Sequence, residues 1–82
     1  MPYSEDIDEE KLAEIALALL AVGAFEETGS IRAWKGMDWD ITDMLFEKGW
    51  IEDPKTKSKS VVFTEKGKTL GRDFIHKYFS RN

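Results

Sequence analysis

Few side chains in this sequence could carry covalent chemistry. His76 is the single histidine and cysteine is absent, so no Cys–His pair or thiolate metal site can be assembled, and any Ser–His–Asp set would hang on one imidazole. Helical spacing puts His76 on the polar side of the last helical segment, where a solvated role outweighs a catalytic one. Asp38, Asp40, Asp43 and Glu47 offer oxygen donors for a hard cation. They lack the glycine-containing loop of a calcium site, however, and serve better as a helix cap and a solvated face. Gly67 and Gly71 fall inside a helical pattern rather than in a phosphate-binding loop, and there they permit close packing. The residues therefore predict no catalytic, metal or cofactor site and no small-molecule substrate.

The cations are better organised. Residues 1–28 hold eight acids against the one base Lys11, whereas residues 54–82 hold eight bases against Glu65 and Asp73. A chain with a formal net charge of −4 can thus still present a basic face. Lys55, Lys57 and Lys59, with Lys66, Lys68 and Arg72, form a candidate phosphate-contacting set. The plainer reading is a lysine-rich hairpin tip that stays soluble and resists edge pairing.

The elements that position these residues follow from periodicity. At 82 residues, 41% of them hydrophobic, the chain has room for one core and so one domain, with residues 1–6 a frayed start. The longest apolar run, residues 15–25, is too short for a membrane span and follows acids rather than a basic leader. A first helix is expected from a cap near Asp6 or Asp8 to about Ala24. Leu12, Ile15, Ala16, Leu19 and Gly23 share one stripe, while Leu17, Ala18, Ala21 and Phe25 make the opposite side apolar as well. Such a helix is either central or half of a dimer interface. Residues 26–37 carry turn chemistry and the mixed run 31–34, which fits a short strand or a helical turn equally. Asp38 caps a second helix, ended by Gly49. Its Ile41, Met44 and Leu45 form an apolar stripe, with Trp39 and Phe46 nearly opposite. Trp50-Ile51 and residues 60–63 read as a hairpin with a long basic tip, and Thr64 caps a last helix to about Phe79.

The stretch 44–51, the basic hairpin, and Val62-Phe63-Thr64-Glu65-Lys66-Gly67 with Leu70 resemble the second half of winged helix-turn-helix regulators of the MarR and PadR kind. Ala-Trp-Lys-Gly at 33–36, Asp-Trp-Asp at 38–40, Glu-Lys-Gly at 47–49 and Lys-Ser-Val-Val at 59–62 resemble, over nearly the whole chain, a small bacterial family of unknown function. These resemblances imply a winged-helix fold but no activity. The chain departs from the regulators in two places. Only residues 26–37 could supply the supporting helix, and the would-be recognition helix exposes Asp40, Asp43 and Glu47, where base reading uses Arg, Lys, Asn or Gln.

The sequence thus predicts an α+β, winged-helix-like domain with three helices and a two-stranded hairpin before the last. It reads as a non-catalytic cytoplasmic module without cofactor that contacts a protein partner or a second copy of itself through Leu17, Ala21, Phe25, Trp34, Trp39 and Phe46. Tryptophan is the residue type most favoured as an interface anchor, although a small domain also needs large aromatics for its core. DNA binding through the basic hairpin is the alternative.

Overall fold

The structure is a computed structural model and describes residues 6–56 and 58–81. Its elements run α1 (Glu9–Val22), β1 (Phe25–Glu27), β2 (Ser30–Trp34), α2 (Trp39–Glu47), β3 (Ser60–Val62) and α3 (Glu65–Phe79). Three helices accompany a three-stranded antiparallel sheet of order β1-β2-β3, an α+β arrangement compatible with a winged-helix-like layout. Except for Asp6, the expected frayed start lies outside the described residues.

Each helix starts where a short polar side chain can satisfy a free backbone N–H. Asp8 Oδ1 accepts from Lys11 N at 3.1 Å, Asp38 Oδ1 from Asp40 N at 2.9 Å, and Thr64 Oγ1 from Gly67 N at 3.0 Å. Gly49, at φ +77°, reverses the chain after α2, a left-handed conformation that glycine adopts without steric cost. Residues 31–34, undecided from the sequence, belong to the central strand. β1 and β2 are joined by Thr28-Gly29, both at positive φ (+48° and +81°), the pattern of a two-residue hairpin turn.

The hairpin expected between residues 50–51 and 60–63 is rearranged. The ladder partner of β3 is β2, through Arg32↔Val62, Ala33↔Val61 and Trp34↔Ser60. Residues 50–52 keep the bridge Ile51↔Phe63, a bond from Glu52 N to Val62 O at 2.8 Å and one from Thr64 N to Trp50 O at 3.1 Å, short of a ladder. The tip is also folded down. Pro54, which cannot donate to a ladder, is wholly buried. Lys35 Nζ donates to the carbonyl oxygens of Pro54 and, at 3.0 Å, Thr56. Asp53 Oδ1 accepts from Lys55 N at 2.8 Å.

The core sits between α1, α3 and the inner face of the sheet. It contains Ala13, Ala16, Leu17, Leu20, Ala33, Leu45, Trp50, Ile51, Val61 and Phe63. Of the two expectations for α1, the central one fits the single chain: Leu17, named as an interface candidate, is 0% exposed, while Leu19, on the other apolar stripe, is exposed. The reason lies in α3. Gly71 presents no side chain, so α1 packs so close that a Cβ placed there would lie 3.0 Å from the Ala21 Cβ and 3.8 Å from the Leu17 Cγ. Apolar periodicity on both sides of α1 could not say which side meets that glycine.

Candidate interaction surface

The core of the described chain leaves several large apolar side chains outside it. Trp34 is 64% exposed, Trp39 65% and Phe46 42%, and Leu19 and Val22 are open as well. They are not scattered. Leu19, Leu20, Gly23, Ala33, Trp34, Gly36 and Met37 line a cavity of about 250 Å³, and Met37 also lines a second, of about 100 Å³, with Trp39, Lys35, Thr42 and Pro54. Met37 therefore joins the end of α1 and the β2 tryptophan to the start of α2 in one apolar strip.

Local structure explains the positions. In β2, Ala33 points inward while Arg32 and Trp34 alternate to the other face. Trp34 leans on Phe25, with ring centroids 5.0 Å apart, so Phe25 is half-buried beneath it. Trp39 and Phe46 are seven residues apart on α2 and share one face, turned away from the buried Leu45.

Among the residues expected at an interface, the structure brings Phe25, Trp34 and Trp39 onto or beside this strip, and Phe46 onto the same face of α2 as Trp39. Ala21 is half-buried against α3, and Leu17 does not reach the surface. Leu19, Val22 and Met37 are additions. Leu19 and Val22 share a helical face at i, i+3 spacing, a signal masked by the apolar residues all round α1.

The basic set is divided. Lys57 lies outside the described residues. Lys55 and Lys59 are exposed in the loop held down by Lys35, at the Ser60 end of β3. Lys66 and Arg72 are exposed on α3, which starts beyond the opposite end of that strand, about 10 Å away. Lys68 Nζ is paired with Glu65 Oε1 at 2.9 Å, and Lys68 and Arg72 border an apolar dent of about 210 Å³. On α2, Asp40, Asp43 and Glu47 follow Trp39 around the helix. Asp43 Oδ1 is shut off from solvent without a hydrogen-bond partner.

Two polar links fix the helices that carry the strip. Lys48 Nζ contacts both carboxylate oxygens of Glu10, at 2.7 and 2.8 Å, tying the end of α2 to α1. Glu14 Oε1 accepts from Tyr78 Oη at 2.6 Å and from Lys77 Nζ at 2.9 Å, tying α1 to α3. The Tyr78 hydroxyl, then Lys77, hold the Glu14 carboxyl below the usual carboxylate range, and the bond to Glu14 raises both the Tyr78 and Lys77 values. A depressed carboxyl contributes stability that is complete above its unfolded value of 4.5 and lost as pH falls through the folded one. The raised Tyr78 contributes stability that is complete below pH 10.0 and lost as pH rises through its folded value. Tyr78→Phe should therefore weaken the pH dependence of the melting temperature on both the acid and the alkaline limb. Melting curves from pH 3 to 11 check this; limbs identical to wild type would remove the link from the account.

His76 is exposed on α3. Among the described residues, no three His, Asp or Glu side chains gather into a group that could hold a metal ion, and no helix is long and apolar enough to cross a membrane.

No solved structure matches the chain. A relative from Sinorhizobium fredii, the uncharacterized protein y4hR, is 42% identical over 76 residues, covering 93% of this chain and 99% of its own. A family model, domain of unknown function DUF6429, matches residues 8–81. With nine-tenths of its length matched and a relative of equal extent, the chain belongs to the DUF6429 family.

Proposed function

We propose that this chain is a small non-catalytic module that contacts other proteins, self-association included. The observation that carries this reading is the set of exposed apolar side chains Leu19, Val22, Trp34 and Trp39, left outside the core and joined by the half-buried Met37 that packs on its edge. Contiguous exposed apolar surface marks interaction sites, and tryptophan is the commonest anchor within them. A cytoplasmic setting agrees with the absence of cysteine.

The competing role for these tryptophans is folding, and stability separates the two. The double variant Trp34→Ser, Trp39→Ser should change unfolding free energy by no more than about 1 kcal/mol, since both rings are mostly in water. Any concentration-dependent sedimentation of the wild type should disappear. A stability loss above about 2 kcal/mol would make them structural aromatics and end the proposal.

Phosphate contact is the second reading. It draws on exposed Lys55, Lys59, Lys66 and Arg72 and on the resemblance to winged-helix regulators. The separation of these cations along β3 and the carboxylates of α2 make it the weaker one.

A further inference from the structure

We infer that the exposed face of α2 is a docking surface for a basic, amphipathic helical segment of another protein. This rests on the contact reading above and specifies the partner. Trp39 and Phe46 stand two helical turns apart, about 10 Å along the axis, a spacing that a second helix can match with its own apolar row. Beside Trp39, the cavity of about 100 Å³ over Met37, Thr42 and Pro54 can receive the end of an aliphatic side chain.

Charge selects the partner. α2 carries no base, and beside Trp39 lie the half-buried Asp43 and the exposed Glu47 and Asp40. Lys48, just beyond its end, is held by Glu10, and Lys35, beside Trp39, is occupied by the carbonyls of Pro54 and Thr56. Asp43 Oδ1 has no donor at all. Around the helix Asp43 lies between Trp39 and Glu47, where its carboxylate can meet an incoming ammonium or guanidinium. A second copy docking α2 against α2 would oppose two rows of carboxylates, and the chain's own basic helix, α3, already spends its apolar side on α1 and Trp50, so a separate basic helix is the better match.

The test uses two synthetic amphipathic helices of about four turns, one of leucine and lysine, the other of leucine and glutamate, titrated into labelled protein. The lysine peptide should shift the amides of Trp39–Glu47, and the glutamate peptide should not. Asp43→Asn combined with Glu47→Gln should weaken binding about tenfold, and Glu47→Gln alone, at an exposed site, about threefold. Equal binding of both peptides, shifts located off α2, no binding, or unchanged affinity in Glu47→Gln would each overturn the inference. The contact reading would survive all four, because it stands or falls on the stability of the tryptophan variants.

Discussion

Gly67→Ala should unfold the protein or cost about 3 kcal/mol or more, the largest effect expected from adding one methyl group. A Cβ at position 67 would lie 1.8 Å from the carbonyl oxygen of Trp50, far inside contact distance. The obstacle is backbone, so no rotamer change relieves it. Nor can the backbone step aside. The same carbonyl accepts from Thr64 N at 3.1 Å, while Thr64 Oγ1 donates to Gly49 O at 2.6 Å and caps α3 at Gly67 N. Moving Trp50 away would break the junction between α2, the Ile51 bridge and the start of α3 together. Gly71→Ala is a milder comparison, because its new methyl would meet the Ala21 Cβ at 3.0 Å. Urea denaturation of the two variants checks the order. Equal and small losses would show that the Trp50–Gly67 approach is looser than described.

Leu17→Glu carries the second large effect, and its direction separates two roles for α1. At a dimer interface the substitution would give a folded monomer. In the structure Leu17 is wholly buried between α3 and the Phe63 side of the core, where a carboxylate has no cation and no water. Losing the leucine alone costs about 3–5 kcal/mol, and the unpaired charge adds to it, so a domain of ordinary stability should not fold. Circular dichroism reads the result directly, with Leu17→Ala as the variant that should remain folded but weakened.

How much of this was legible in the sequence depends on how local each determinant is. Asp8, Asp38 and Thr64 announce their helices because a cap is decided by one side chain and the N–H two or three residues on. The turn at Thr28-Gly29 was visible, but the hairpin it makes was not. A β-branched threonine at φ +48° is an uncommon first residue for such a turn, and it hides the usual signal. Sequence proximity points β3 to residues 50–51, which keep a single bridge to Phe63, whereas its ladder forms with β2, far upstream; strand composition does not encode which strand lies alongside. For the candidate surface, Trp34, Trp39 and Phe46 could be singled out by type and helical angle. Which of Leu17 and Leu19 faces the core stayed open because α1 is apolar all round, and the choice of core face is made by Gly71 on another helix.

The pairing of Trp34 with Ser60 and the bond from Lys35 N to Lys59 O at 2.9 Å close residues 35–59 into a loop, with α2 inside it. The helix proposed to meet a partner is thus tethered at both ends to one short ladder. Swinging outward would pull Leu45 from the core it shares with Ala33 of β2 and Val61 of β3, so helix and ladder belong to a single cooperative unit. Whatever binds α2 in its present position also holds β2 and β3 together. By mass action, occupancy at the helix surface would then slow the opening of a sheet that the ligand never touches.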